Sequence, residues 1–426
     1  MSADWEHVIL LSADALRPDH LSCYGYRRET SPVLDALAAE SVRFTDAYSA
    51  SSHTREAVPS LLTGEYPDTA VGAGYRLETE TVASTLADEG YATAGFHSNP
   101  FVSRAYGFGE GFDTFDDDIR FGTNKFLALA QRALDKLRNR HYARASEINE
   151  RALDWLDSVT GDSVFLWNHY LDTHGPYEPP SEYATAYREA TVPDRRAQSL
   201  YRRAIREPAS ITDRERSLLI DLYDAEIRYN DARIGEFLAA LRDRNLLDRS
   251  LLIVTADHGD AFGEHGYYGH PRYLHEEVIR VPLLVRPPGG ANGRTVSTPV
   301  STLDVVSTVE DGLGRPAGPD RASLLDPLPE DRSVFVQARG EDDHEHLRRY
   351  AVRTAEGACV CERDLTTDTV EFGPCSGQPL RERLTAHVAE RRRAEAGETN
   401  VDGAGGVGDD VDDALERRLS ALGYRE

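Results

Sequence analysis

The chain has 426 residues, of which 40% are hydrophobic and 28% charged, so it can bury a full hydrophobic core and is not intrinsically disordered. Its formal net charge of −25 argues against a nucleic-acid partner, because a phosphate backbone requires a basic protein surface. The absence of a signal-like start and of any apolar run of about 18 residues predicts a soluble, cytoplasmic protein without membrane insertion. Lysine occurs only as Lys125 and Lys136, and this acidic, arginine-based composition is typical of halophilic proteins.

Strand-like apolar runs alternate with helical segments through the first three quarters of the chain. The predicted strands are His7–Ser12, Ala92–Phe96, Ser163–Tyr170, Leu251–Ala256 and Val281–Arg286. The predicted helices are Pro32–Glu40, Thr81–Glu89, a long polar region near Lys125–Leu156, Arg214–Arg242 and Asp304–Gly312. This alternation predicts an α/β fold, namely an α/β/α sandwich with a mostly parallel central sheet.

The last quarter of the chain has a different character. Short strands with turns are predicted at Val334–Ala338, Tyr350–Thr354, Ala358–Glu362 and Thr369–Phe372. We therefore expect a large domain over residues 1–330 and a small antiparallel subdomain over 331–390. An acidic and glycine-rich flexible linker is predicted over 391–410, and a final helix over 411–426. The four cysteines lack zinc-site spacing and are predicted to be structural.

Acidic residues follow two of the predicted strands. Asp14 comes shortly after the first strand, and Asp257 and His258 come directly after Leu251–Ala256. Parallel strands deliver such residues to the carboxyl edge of the sheet, where α/β enzymes bind ligands. Two carboxylates and an imidazole at one edge indicate a metal site.

A hydroxyl residue opens the helical segment Thr54–Gly64, which follows a loop rich in serine and histidine. Backbone N–H groups and the helix dipole favour an anion at such a position. Beside a divalent cation, the hydroxyl of Thr54 would ionise more easily and act as a nucleophile. In isolation, the same residue would be interpreted as a simple helix cap.

Together these segments resemble the sulfatase family, within the alkaline phosphatase superfamily, from Val8 to about Asp326. The matching motifs are Ser12–Tyr26, Thr54–Pro67, Gly95–Pro100, Gly111–Asp113, Asp172–Pro180, Tyr223–Asp231, Thr255–Gly266, His270 and Leu274–Pro282. The resemblance implies an alkaline-phosphatase-like fold and an esterase that acts on phosphoric or sulfuric esters.

The family's metal and nucleophile positions can be transferred residue by residue. The resemblance implies that Asp14, Asp257 and His258 are metal ligands and that Thr54 is both nucleophile and ligand. It implies one divalent cation, and the donor types suit Mn²⁺, Zn²⁺, Mg²⁺ or Ca²⁺, with His258 favouring a transition ion.

The resemblance also implies residues for the substrate. His174 and His270 match positions that contact the substrate anion or assist the leaving group. Asn99 lies near a family lysine that binds the anion, and Arg55 and His97 complete the predicted substrate-binding set.

Other polar residues in the motifs receive weaker roles. His265 is a second-tier candidate, and a second cation beside His265 or His270 is a further option. Asp19, His20 and Asp231 are predicted to be structural, as turn and helix-packing residues.

The nucleophile motif departs from the family's pattern. Sulfatases oxidise a cysteine or serine within Cys-x-Pro-Ser-Arg to formylglycine, whereas this chain has Thr54, with Glu56 and Val58 replacing the proline and the arginine. Oxidation of a threonine would give a ketone, so no formylglycine is expected. Ala15 also replaces the second aspartate of the paired acidic ligands typical of calcium sulfatases.

Three functions remain open at this stage. Cleavage of phosphate mono- or diesters through Thr54 is favoured. The second is sulfuric ester hydrolysis, or head-group transfer to a glycan or lipid. The third is a sulfatase-like protein without turnover that binds an anionic partner, and the oligomeric state is not predicted.

Overall fold

The computed structural model describes residues 5–118, 142–159, 163–316, 318, 320–341 and 344–397. In chain order the strands are β1 (His7–Ala13), β2 (Val42–Tyr48), β3 (Ala92–His97), β4 (Thr114–Asp116), β5 (Val164–Tyr170), β6 (Ser250–Ala256), β7 (Ala261–Phe262), β8 (Tyr268–Gly269), β9 (Arg280–Arg286), β10 (Arg294–Val296), β11 (Val300–Ser301), β12 (Val334–Arg339), β13 (Leu347–Thr354), β14 (Gly357–Asp364) and β15 (Thr369–Cys375). The helices are α1 (Pro32–Ala38), α2 (Thr54–Thr63), α3 (Pro67–Ala70), α4 (Val82–Asp88), α5 (Ala145–Ser158), α6 (Asp194–Arg206), α7 (Asp213–Asp243), α8 (Glu276–Ile279), α9 (Asp304–Gly312) and α10 (Gln378–Gly397).

The central sheet is mostly parallel, as predicted. Its strand order is β10-β2-β9-β6-β1-β5-β3-β4, with β11 also paired to β2, and β9 is antiparallel to both of its neighbours. Every residue of β1, β5 and β6 is buried, so both faces of the sheet centre are covered. Such burial explains why these strands are almost continuously apolar in sequence. A separate four-stranded antiparallel sheet, β12-β13-β14-β15, follows in the last quarter of the chain.

The C-terminal sheet packs against α10. Leu380, Leu384 and Val388 of this helix form one buried cluster with residues of β13 and β14. A disulfide joins Cys359 to Cys375 across the strands β14 and β15. The helix and the sheet therefore form one packed unit.

The predicted linker over 391–410 starts too early, because α10 continues to Gly397. The segment is rich in arginine, glutamate and alanine, which are good helix formers, and its charges find partners. Arg391 lies 3.3 Å from Asp68, and Glu395 lies 2.7 Å from Arg363. The rest of that linker and the predicted helix over 411–426 lie outside the described residues.

The predicted polar helix near Lys125–Leu156 is confirmed in its second half by α5. Residues 119–141 lie outside the described residues. The sequence analysis did not predict β2 or α6, although β2 leads directly into the loop before α2. Among the described residues, no helix combines the length and the apolar character needed to cross a bilayer.

The three polar residues predicted to be structural make contacts that fix local geometry. Asp19 pairs with Arg17 at 2.7 Å, and His20 Nδ1 lies 2.7 Å from an oxygen of Asp224 on α7. Asp231, also on α7, accepts hydrogen bonds from two backbone N–H groups at the start of α1, at 2.9 and 3.0 Å. These groups have no partner within their own helix, so Asp231 acts as a cap supplied from another helix.

We expect Asp231→Ala to lower the free energy of unfolding by about 0.5–2 kcal/mol, because the first turn of α1 loses its cap. Urea unfolding followed by circular dichroism measures the change. Asp243→Ala, at the exposed end of α7, is the matched control and should leave the midpoint nearly unchanged. Equal midpoints for Asp231→Ala and the unsubstituted protein would contradict the capping role.

Candidate active site

The register of β1 and β6 brings the two acidic strand ends together. The strands are parallel and adjacent, with Ala13 opposite Ala256, so Asp14 and Asp257 leave neighbouring strands at the same edge. The backbone N–H of Ala15 donates to Asp257 Oδ1 at 3.2 Å, which ties the two turns together. Both carboxylates are fully buried.

Helix α2 delivers Thr54 to this edge. His53 caps the helix, because its Nδ1 accepts from the backbone N–H of Arg55 at 3.2 Å, and Thr54 is the first helical residue. The hydroxyl oxygen of Thr54 lies 3.1 Å from His258 Nε2. All four residues predicted to hold a metal ion, namely Asp14, Thr54, Asp257 and His258, are therefore brought to one buried place.

A hydrogen bond at Nδ1, the ring nitrogen that does not face Thr54, fixes the tautomer of His258. His258 Nδ1 lies 2.8 Å from the carbonyl oxygen of Gly259, so Nδ1 carries a proton and donates it. The lone pair of Nε2 then faces Thr54 and lies 3.6 Å from oxygens of Asp14 and Asp257. An imidazole oriented in this way is ready to bind a metal ion.

Three buried polar atoms at the centre have no hydrogen-bond partner among the described residues: Asp14 Oδ1, Asp257 Oδ2 and His169 Nε2. Asp14, His169 and Asp257 each offer a ligand atom, and these atoms lie within 4.8 Å of one another. Buried polar groups are rarely left without partners, so the convergence of these three atoms indicates a cation-binding site. The residues present thus fit a divalent cation.

Two carboxylates and several imidazoles shift one another's pKa values in this cluster. Burial and the adjacent Asp14 carboxylate raise the pKa of Asp257. Burial acts to raise the pKa of Asp14 as well, but His174 and other nearby histidines hold it below its ordinary value. Burial acts to lower the pKa of His258, and the carboxylates of Asp257 and Asp14 outweigh it and raise that pKa. A divalent cation would relieve the repulsion between the two carboxylates.

Four histidines from different segments surround this centre. The ring of His270 lies 4.3 Å from that of His258, 5.1 Å from that of His174 and 5.3 Å from that of His53, measured between centroids. The sequence analysis assigned roles to His174 and His270 but not to His53, whose position as a helix cap gave no catalytic signal.

His174 and His270 form a direct imidazole pair. Their Nε2 atoms are 3.0 Å apart, and His174 Nδ1 lies 2.6 Å from the carbonyl oxygen of Gly175. His174 Nδ1 therefore donates to that carbonyl, and in the neutral pair His270 donates from Nε2 to His174. Burial and the neighbouring His258 and His174 keep the pKa of His270 well below its ordinary value.

Asn99 lies in the site but binds Asp14. Its amide nitrogen donates to Asp14 Oδ2 at 2.6 Å, and its amide oxygen accepts from the backbone N–H of Phe101 at 2.8 Å. These bonds orient the Asp14 carboxylate. Contact with substrate remains a prediction for this residue.

Arg55, His97 and His265 occupy three different places. The guanidinium of Arg55 lies 4.2 Å from the ring centroid of Phe101, beside the histidine cluster. The ring of His97 packs 5.5 Å from that of Trp167, in an aromatic layer. His265 is half-exposed and lies 3.1 Å from Glu277, so the structure does not bring it to the metal centre. Roles for Arg55 and His97 in substrate binding remain predictions.

Glu56 connects α2 to the C-terminal sheet. Its buried carboxylate pairs with Arg272 and accepts from Ser51 Oγ at 2.8 Å and from the backbone N–H of Arg339 on β12 at 3.2 Å. Arg272 also pairs with Glu341. No sequence pattern indicates that these residues meet, because they come from distant segments.

Known proteins resemble this chain over most of its length. The family model described as Sulfatase matches residues 6–314. The chain is 26% identical over 340 residues to the uncharacterized sulfatase YidJ of Escherichia coli, which covers 71% of this chain and 67% of that protein. It is 26% identical over 342 residues to iduronate 2-sulfatase of Mus musculus, covering 68% of this chain but only 60% of the relative.

A solved structure shares the fold. The phosphonate monoester hydrolase of Silicibacter pomeroyi superposes with a TM-score of 0.68 at 19% identity and covers 91% of this chain and 95% of its own. The family model spans most of the chain, and the four predicted metal-site residues meet at one sheet edge. The chain therefore belongs to the sulfatase family and is a hydrolase that acts on ester bonds.

Proposed function

We propose that the protein cleaves phosphate esters and that Thr54 is its nucleophile. The observation that carries the proposal is the position of Thr54 Oγ1, fully buried at the start of α2 and 3.1 Å from the lone pair of His258 Nε2. A nucleophilic hydroxyl requires a site that favours loss of its proton and stabilises negative charge. A cation held by Asp14, Asp257 and His258 would lower the pKa of the Thr54 hydroxyl, and the first turn of α2 adds its dipole.

The identity of the nucleophile favours phosphorus over sulfur as the centre attacked. Formylglycine chemistry requires an aldehyde, and the β-carbon of Thr54 carries a methyl group that excludes one. An unmodified hydroxyl is suited to phosphoryl transfer, which requires positioning and charge stabilisation more than covalent assistance. The structural neighbour from Silicibacter pomeroyi is called a phosphonate monoester hydrolase, so this fold is compatible with a phosphorus centre.

Different residues of the chain contribute to different steps of the proposed reaction. Asp14, Asp257 and His258 would hold a divalent cation, which supplies charge stabilisation and lowers the pKa of a neighbouring hydroxyl. Thr54 Oγ1 forms a bond to phosphorus while the bond from phosphorus to the alcohol oxygen breaks. A water molecule then displaces Thr54 from phosphorus, which regenerates the hydroxyl.

We assign the imidazole pair to protonation of the leaving alcohol. His174 and His270 share a hydrogen bond at 3.0 Å, and His270 packs directly on His258. Once protonated, the imidazole pair can give a proton to the departing oxygen and recover one from the attacking water. The imidazole of His53 and the guanidinium of Arg55 add a polar and a positive group near the N-terminus of α2.

We expect Asp257→Ala to lose the bound divalent cation, because one of the two central carboxylates is removed. Metal content after dialysis, measured by mass spectrometry against the unsubstituted protein, tests the loss. Asp172→Asn is the matched control, since Asp172 is equally buried at the end of β5 but pairs with Arg144. An Asp257→Ala protein with an undiminished metal content would contradict the site.

We expect Thr54→Ala to abolish turnover while the fold and bound metal are retained, and Thr54→Ser to keep measurable activity because it preserves the hydroxyl. Thr63→Ala, at the other end of α2, should stay active, since its hydroxyl makes local backbone contacts: it donates to the carbonyl of Pro59 and accepts from the N–H of Glu65.

Nitrophenyl phosphate, phosphodiester, phosphonate and sulfate esters are assayed in parallel in high salt with each candidate metal. The proposal is supported if the unsubstituted protein and Thr63→Ala cleave phosphate esters and Thr54→Ala does not. Sulfate-selective cleavage, or an active Thr54→Ala protein, would show that the nucleophile and substrate class are wrong.

A further inference from the structure

His169 is a fully buried histidine whose Nε2 has no hydrogen-bond partner within the part of the chain that the structure describes. It lies near the end of β5, the strand on the opposite side of β1 from β6, and its register partner on β1 is Ser12. Its Nε2 lies 3.6 Å from Asp14 Oδ2, a separation too long for a hydrogen bond. An imidazole nitrogen left unpaired in a fully buried site costs stability unless a ligand occupies it.

The other side of the ring is held by a chain of two hydrogen bonds. His169 Nδ1 lies 2.9 Å from Ser12 Oγ, which accepts from Trp167 Nε1 at 2.9 Å. Metal-binding histidines generally use the second ring nitrogen in such a bond, which fixes the ring and directs the lone pair. His169 is therefore oriented by the fold with Nε2 towards Asp14.

Both imidazoles lie beside the Asp14 carboxylate, on different oxygens. His169 Nε2 lies 3.6 Å from Asp14 Oδ2, whereas His258 Nε2 lies 3.6 Å from Asp14 Oδ1 and from Asp257 Oδ2. In a tetrahedral site with ligands about 2.1 Å from the ion, neighbouring donors lie roughly 3.4 Å apart.

The turn after β1 offers no ligand of its own beyond Asp14. Ala15 has a methyl side chain, and its backbone adopts a φ of 58°, which holds its N–H on Asp257. His169 reaches the same centre from the neighbouring strand β5.

We propose that His169 is a ligand of the cation and that this chain's site is built for a borderline transition ion, such as Mn²⁺ or Zn²⁺, in preference to Ca²⁺ or Mg²⁺. The inference rests on the proposed function, since it concerns the cation at that site. Two imidazoles and two carboxylates form a donor set that suits transition ions, whereas Ca²⁺ and Mg²⁺ prefer oxygen ligands alone.

The test uses His169→Gln, which keeps a hydrogen-bond donor near the position of Nε2 but is a poor ligand for a transition ion. We expect its affinity for Mn²⁺ and Zn²⁺, measured by chelator competition, to fall by about 10- to 100-fold or more, with a smaller change for Ca²⁺. His7→Gln is the matched control, because His7 is buried on β1 but bonds only to the backbone N–H of Val164. It should bind as tightly as the unsubstituted protein.

A second test, pulsed electron paramagnetic resonance, counts the imidazole nitrogens coupled to Mn²⁺ in the unsubstituted protein. Two coupled imidazole nitrogens, from His169 and His258, are expected. Mn²⁺ bound with a single nitrogen, or unchanged affinity in His169→Gln, would overturn the ligation by His169 and leave the proposed function standing. No binding of any of these metals by the unsubstituted protein would overturn both.

Discussion

The pairing of β1 with β6 forces two carboxylates into one buried place, and the rest of the site follows from that constraint. Asp14 and Asp257 leave adjacent parallel strands in register, without exposure to solvent and with one oxygen each left unbonded. Such an arrangement is unfavourable for two anions in a medium of low polarity. A cation bound between the two carboxylates would offset their repulsion, and metal binding would then be coupled to the stability of this sheet edge.

Neighbouring elements hold the surrounding groups in position. Asn99 orients the carboxylate of Asp14, and Ser12 orients the imidazole of His169. The carbonyl of Gly259 sets the tautomer of His258. Helix α2 is fixed from the other side by Glu56, which meets Arg272 and the backbone of β12. The C-terminal sheet thereby contributes to the position of Thr54 without supplying a catalytic side chain among the described residues.

Much of this arrangement could be predicted from the sequence, because it depends on local patterns. Apolar runs that end in Asp14 and Asp257 predict strand ends, and their family motifs place Thr54, His174 and His270 at the same edge. His169 could not be assigned in this way, because a histidine inside a buried strand gives no indication of which face it occupies or of what lies opposite. The contacts of Glu56 with Arg272 and β12 depend on the packing of segments more than 200 residues apart, which no local pattern encodes.

The proposed nucleophile Thr54 would separate this chain chemically from sulfatases that use formylglycine. The stereochemical course at phosphorus tests the role of Thr54 most directly. A phosphate ester made chiral with oxygen isotopes and sulfur is hydrolysed, and the configuration of the released thiophosphate is determined. Attack by Thr54 followed by attack by water gives two in-line displacements and hence net retention, which we expect. Net inversion would mean that water attacks the substrate directly, and it would contradict the role of Thr54 as nucleophile.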